Sequence, residues 1–365
     1  MQKKDIYDII IENCTKEWKK CMTIIKLSKD IWEQPKYSGK KIEKAGKTLI
    51  NPLSTQEQIN EALDVLNNWR SAHAYPLHVI TNNLKRNNPK AIVVQRLKRL
   101  DSIVAKLERY PDMSLYKMQD LGGCRVILNS IDEVYSSVER FKTSYVRHVL
   151  KKENDYIQNP KNSGYRGYHM VYQYQSDDND VYNKNMLIEI QFRTQLQHIW
   201  ATAVEVMGIY TKSLLKASQG NEDVLRFFTL VSSLFALAEN TPECPNTSDS
   251  SNDLIEELTE IDKRLNIVSK LSAMSVAIKH TNENMKGKGY YLLRLNLLEH
   301  RLKVDGYSTN QINLATDIYN KIEATNNQNM DAVLVSASSF DTLKAAYPNY
   351  FADISKFVEI MRELI

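Results

Sequence analysis

Met186-Leu187-Ile188-Glu189-Ile190-Gln191-Phe192-Arg193-Thr194 decides how this chain is read. Apolar Ile188, Ile190 and Phe192 alternate with Glu189, Gln191 and Arg193. Alternation with period two predicts a strand, with the polar set on one face. An acid, an amide and a cation aimed the same way suit the wall of a wet cleft. A solvent-facing edge strand is the plainer alternative. The apolar helix expected from Thr194 to Met207, stopping near Gly208, favours the cleft because it would cover the other face.

Working outward, Cys124 to Leu128 and Tyr168 to Tyr174 also read as strands, with an amphipathic helix from about Asp132 to His148 between them. Ser54 followed by Glu57 is a capping box for a helix carrying Ile59, Leu63, Leu66 and Trp69. A second helix spans Leu77 to Leu84, and a third is expected over 91–109 with Leu97, Leu100, Val104 and Leu107 buried. Strands interrupted by helices argue for an α/β or α+β sheet domain. After a helix over Asp223 to Ala238, the polar, proline-containing stretch 241–252 reads as a linker. Beyond it the pattern gives a helix (253–283), strands at Tyr290 to Leu297 and Arg301 to Tyr307, a helix (309–325), a strand at Ala332 to Val335 and a terminal helix. Phe351, Ile354, Phe357, Ile360 and Met361 of the terminal stretch are expected to pack on that unit's own sheet. The division is a helical extension (1–55), a main domain (56–240), the linker and a smaller α/β domain (253–365).

Composition narrows the function classes. An apolar fraction of 42% and a charged fraction of 25% are those of an ordinary globular protein. A net charge of +4 permits anionic ligands without announcing a nucleic-acid coat. Cys14, Cys21, Cys124 and Cys244 form no C-x-x-C pair, which argues against a zinc ribbon and fits a reducing cytoplasm. The apolar pieces near the start are broken by Asp5, Asp8, Glu12 and Glu17, so no signal peptide is expected, and no apolar run approaches the roughly 20 residues of a membrane span.

Three further segments carry chemistry. Asp120-Leu-Gly-Gly-Cys-Arg125 puts an acid before a glycine pair entering a strand, where a ligand can approach the backbone closely. With Glu189 it offers two hard carboxylates, the donor set Mg²⁺ takes beside a triphosphate. Arg96, Lys98, Ser102 and Lys106 offer cations and a hydroxyl from one expected helix; a solvated basic face is the plainer account of those charges. The Gly/Pro-punctuated loop Asn159 to His169 presents Lys161, Tyr165 and His169 for phosphate and base contacts, although Tyr165 and Tyr168 also suit a strand entry. No Walker-type loop and no G-x-G-x-x-G occurs.

Taken in order, these segments resemble the synthetase domain of the RelA/SpoT family of alarmone synthetases over roughly residues 56–240. The resemblance rests on Arg96-x-Lys98-x-x-x-Ser102-x-x-x-Lys106, Asp120-x-x-Gly-x-Arg125, Asp155-Tyr-Ile…Pro160-Lys161…Gly164-Tyr165…His169, and Glu189-x-Gln191-x-Arg193-Thr194 with His198, Trp200 and Glu205. Ser163 and Gly167 depart from the residues that the family often has in its acceptor loop. The resemblance implies an α+β, nucleotidyltransferase-like mixed sheet flanked by helices. It implies a Mg²⁺-dependent pyrophosphokinase that moves the β,γ-pyrophosphate of ATP to the 3′-hydroxyl of GDP or GTP. Arg96 and Arg125 would sandwich adenine, and Lys98, Ser102 and Lys106 would hold the donor phosphates. Asp120 and Glu189 would bind the metal, with Glu189 also the base. Tyr165 would stack on guanine, with Lys161, Ser163, His169, Gln191 and Arg193 completing the acceptor site. The implied protein is a cytoplasmic, synthetase-only member with no hydrolase unit before the match and an added C-terminal domain open to a regulator. A homo-oligomer stays open. So do a toxin-type enzyme that modifies the tRNA 3′ end or makes adenosine alarmones, and an inactive nucleotide sensor.

Overall fold

The computed structural model describes residues 32–144, 147–177, 179–211, 221–276, 279–282, 289–296, 299, 301–325, 330–347 and 354–365. Residues 1–31 of the expected N-terminal extension, with Cys14 and Cys21, lie outside the described residues, as does Phe351.

Three helices open the described chain: α1 (Gly39–Leu49), α2 (Gln56–Ala72) and α3 (Ala74–Asn87). The capping box of α2 forms one residue later than expected, between Thr55 and Gln58; Ser54 instead donates its hydroxyl to Thr48 O, at 2.9 Å. The expected helix over 91–109 is corrected. Ile92–Leu97 is strand β1, and the helix, α4, covers only Leu100–Arg109. The run Ile92-Val93-Val94 is β-branched and suits a pleated surface better than a helix. Arg96 therefore sits on a strand, Lys98 in a turn, and Ser102 and Lys106 on a helix.

Strand β2 (Gly122–Leu128), helix α5 (Ile131–Thr143), strands β3 (Val149–Asp155), β4 (Tyr168–Gln173) and β5 (Leu187–Thr194), and helices α6 (Gln195–Thr211) and α7 (Glu222–Ala238) follow. Strand β3 was not expected, and α6 runs through Gly208 rather than stopping there. The expected 253–283 helix is two, α8 (Ser251–Leu265) and α9 (Ile267–Val276), separated by Asn266 at φ +52°. The remaining elements are β6 (Lys279–Asn282), β7 (Tyr290–Asn296), β8 (Arg301–Tyr307), α10 (Ile312–Ala324), β9 (Met330–Ser336), α11 (Phe340–Ala346) and α12 (Ser355–Leu364).

The nine strands among the described residues form one mixed sheet in the order β3-β4-β5-β2-β1-β9-β7-β8-β6. The pairs β2–β5 and β6–β8 are parallel and the others antiparallel. The α/β unit after 241–252 thus continues the first unit's sheet through β9 on β1, a seam of two residue pairs, Gln95 with Ser336 and Arg96 with Val335. One face of the sheet packs under α1 to α5 and α10 through Val93, Leu97, Val126, Ile188, Ile190 and Phe192. On the other face Val94, Ile127, Tyr291, Leu293 and Val335 meet Leu343, Ala346 and Tyr347. A third core joins α6 to α9 with α12. Ile354, Phe357 and Met361 are buried there, so the terminal helix packs on helices rather than on its own sheet. The connection 241–252 is itself anchored, with Thr241 and Cys244 buried.

Candidate active site

Strand register assembles the polar face. Arg96 pairs with Gly123, Gly123 with Glu189, Arg125 with Gln191, and Gln191 with His169. Cross-strand partners point to the same side, so Arg96, Arg125, His169, Glu189 and Gln191 share one face. Gly123 opens the middle of that face because it carries no side chain. The result is an open cleft lined by Arg96, Lys98, Asp120, Gly123, Cys124, Arg125, Glu189, Gln191 and Tyr347.

The two acids sit in different surroundings. Asp120 accepts from Lys98 Nζ at Oδ2 and from Lys106 Nζ at Oδ1, both at 2.9 Å. Burial pushes its carboxyl up, but the two lysines outweigh that effect and hold it below its usual range. Glu189 Oε1 lies 3.1 Å from His169 Nδ1, and its Oε2 accepts from Gln191 Nε2 at 2.7 Å. Burial again opposes ionisation, and the His169 contact, the Gln191 amide and Lys106 overcome it, leaving Glu189 at about 2. Lys98 is lowered as well, but here burial is the cause and Asp120 resists it.

The loop expected to bind the acceptor is a closed structure. Asp155 accepts from the Ile157 and Gln158 amides at 2.9 and 3.0 Å, which sets the turn after β3. Arg166 is buried and braces the loop: Nε donates to Ser232 Oγ at 3.0 Å and Nη1 to Ile157 O at 3.2 Å. Gly164 is at φ +83°, and a Cβ there would stand 2.9 Å from Trp200 and 3.0 Å from Ser232. Gly167, at φ +141°, leads into β4.

Most expected residues converge. Arg96, Lys98, Asp120, Arg125, Glu189 and Gln191 line the cleft, Lys106 joins through Asp120 and His169 through Glu189. Arg193 lies behind them, donating to Gln191 Oε1 at 3.0 Å and to the Tyr165 hydroxyl at 2.5 Å; its Nε and Nη1 find no partner among the described residues. Ser102 and Ser163 are half-buried and do not line the cleft.

Tyr165 corrects the expectation of an open stacking platform. It is 8% exposed, with its hydroxyl 2.6 Å from His169 Nε2 and the Lys161 ammonium and Arg193 guanidinium 5.2 and 5.0 Å from its ring centre. The more available aromatic is Tyr156, half-buried, with Lys161 Nζ 4.4 Å from its ring centre. It lies inside the Asp155-Tyr-Ile motif, so sequence did carry its signal.

The adenine side differs from expectation too. Tyr347 is 3% exposed and donates its hydroxyl to Gln95 O at 3.3 Å; its phenol is pushed up to about 12 by burial, against the pull of Arg96 and Arg125. Arg125 Nη1 donates to Ala346 O at 3.4 Å, and His198 Nε2 lies 3.0 Å from Ala345 O. The space expected between the two arginines is therefore walled by the end of α11. Tyr347 lies 222 positions beyond Arg125 in sequence, and no local pattern marks it.

Residues 95–214 match the family model described as the region found in RelA / SpoT proteins. The GTP pyrophosphokinase YjbM of Bacillus subtilis is 32% identical over 120 residues, covering 32% of this chain and 55% of that protein. YwaC of the same organism, also named a GTP pyrophosphokinase, is 32% identical over 127 residues, covering 33% and 59%. The chain thus spans a little over half the length of these relatives. Among solved structures, small alarmone synthetase 1 of Bacillus subtilis bound to its product pppGpp aligns at 25% identity, over 45% of this chain and 90% of that one, with a TM-score of 0.38. Small alarmone synthetase 2 of the same organism aligns at 23% identity, over 51% and 95%, with a TM-score of 0.38. The acids and cations gathered on β1, β2, β4 and β5 fall within the segment that matches the RelA / SpoT region.

Proposed function

We propose that the chain is an alarmone synthetase that moves the β,γ-pyrophosphate of ATP to the 3′-hydroxyl of GDP or GTP. The observation that carries this reading is the single cleft joining Lys98, Asp120, Arg96 and Arg125 to Glu189 and Gln191. The 3′-oxygen attacks the β-phosphorus, the bond from that phosphorus to the α,β-bridging oxygen breaks, and AMP leaves with the bridging electrons. Such transfer depends on positioning and cations more than on covalent help. Lys98 and Lys106 would turn from Asp120 to the donor phosphates. Arg96, and Arg125 once the end of α11 moves aside, would face adenine.

Mg²⁺ fits the donor set: two carboxylates supply hard oxygens, and water with phosphate completes the shell. When bound, it would neutralise phosphate charge between Asp120 and Glu189. A carboxylate held at about 2 is a weak base. Glu189 therefore orients the acceptor hydroxyl as a hydrogen-bond acceptor and takes its proton late, as bond formation to phosphorus acidifies it.

The test is incubation of the purified chain with β-labelled ATP and GDP or GTP; label on a guanosine product is expected, and none overturns the reading. Burial of Tyr165 favours keeping a second acceptor in the same assay. Label on the tRNA 3′ end or on an adenosine nucleotide would move the chain to the toxin-type reading with the donor chemistry unchanged. Binding of ATP without transfer to any acceptor would make it a sensor.

A further inference from the structure

The donor lysines are held from the far end of the chain. Glu323, on α10, places one carboxylate oxygen on the Leu100 amide at 2.8 Å and the other on Arg70 Nη1. Leu100 is the first residue of α4, whose N-cap, Arg99, makes no side-chain capping bond. A carboxylate at that position satisfies an orphan amide and meets the positive end of the helix, so Glu323 caps α4 from 223 residues away.

Arg70 is fully buried. It is shared between Glu323, Asn320, Asn67 at 3.3 Å and the Lys98 carbonyl at 3.4 Å. Arg99 pairs with Asp331 on β9, and the Lys98 amide donates to Leu121 O at 2.8 Å. Residues 98–100 are therefore gripped at every position, chiefly by α10 and β9. The turn sets both cations on Asp120: Lys98 lies within it, and Lys106 stands two turns along the helix that it starts.

We propose that Glu323 is a positioning residue for the donor nucleotide. By capping α4 and holding Arg70 against the Lys98 carbonyl, it fixes Lys98 and Lys106 where the ATP phosphates bind, and so makes donor affinity depend on the C-terminal unit. This rests on the donor role of the two lysines proposed above.

The test measures binding of α,β-methylene ATP and of GDP to the full chain and to Glu323→Gln. The amide keeps an oxygen for Leu100 but removes the charge facing Arg70. Donor affinity is expected to fall about tenfold, or about 1.4 kcal/mol, with GDP affinity unchanged. In a Lys98→Ala background the same substitution is expected to lose most of its effect, because residues acting through one another are non-additive. Unchanged donor affinity, equal losses for both nucleotides, or full additivity with Lys98→Ala would each overturn the proposal. Should Glu323→Gln fail to fold, Asp331→Asn at the more exposed Arg99 pair must give a donor-selective loss of about threefold; unchanged affinity there overturns it. A wild-type chain that binds the analogue but transfers nothing removes the proposed reaction and leaves the Glu323 comparison standing.

Discussion

The two halves of the cleft are built on opposite plans. The half proposed to take the donor presents charges that already have partners but can exchange them: Lys98 and Lys106 rest on Asp120, each one-fifth to one-quarter exposed. The half proposed to take the acceptor is sealed, with Tyr165 locked between His169 and Arg193, and Arg166 bracing the loop from beneath. A site that takes polyphosphate needs mobile cations, because every lysine released from a carboxylate is one gained by the ligand. A site that discriminates a nucleoside needs a fixed wall.

Glu189 stands between the halves, and replacing it tests both. Glu189→Gln is expected to lower transfer by about a thousandfold with little change in the melting temperature; activity within tenfold of wild type in a kinetic assay would remove its role. Gly164→Ala strikes the acceptor half alone. With φ +83° and Trp200 and Ser232 at contact, it is expected to cost about 3 kcal/mol, read by denaturant unfolding. A loss below about 0.5 kcal/mol would mean that the loop is not the rigid wall described.

Acid should weaken the scaffold beneath the donor half. His73 is fully buried, lies beside Gly122 at the start of β2, and is pushed down to about 4 by burial. His198, facing Arg125, is lowered to about 3, by burial first and then by that cation. A histidine lowered in the folded state binds fewer protons there than when unfolded. Its stabilisation is whole above about pH 6.5 and is lost as pH falls toward the folded value. His73 alone is expected to cost about 2 kcal/mol between pH 7 and pH 5, measured by urea unfolding at the two values; a flat profile would place it in a wetter site. Last, Tyr165→Phe removes the hydroxyl shared by His169 and Arg193. It is expected to cost about 1–2 kcal/mol and to weaken GDP binding but not ATP binding. Equal effects on both nucleotides would erase the distinction between the halves.

Legibility in sequence follows the same division. Alternation around Glu189 gave the right face because Ile188, Ile190 and Phe192 are fully buried while Glu189 and Gln191 opposite them are only half-buried. The helix expected over 91–109 failed at β1 because Leu97 falls in step with the helical stripe Leu100, Val104 and Leu107, while pairing with β2 and β9 holds Ile92–Leu97 extended. The chemical types at Asp120, Lys98 and Lys106 were readable, while their contacts were not. Glu323 and Tyr347 left no trace, since each meets its partner across more than 200 residues and nothing nearby in sequence records the meeting.

The seam between β1 and β9 also bears on how this protein can be cut. It is two rungs long, and it is what keeps β1 from being a border of the sheet. A fragment ending before residue 253 would bare the β1 backbone at Gln95 and Arg96, where β9 normally pairs, and an uncovered border invites pairing with another molecule. Inactivity or clumping of such a fragment would therefore report a torn sheet rather than a missing regulator.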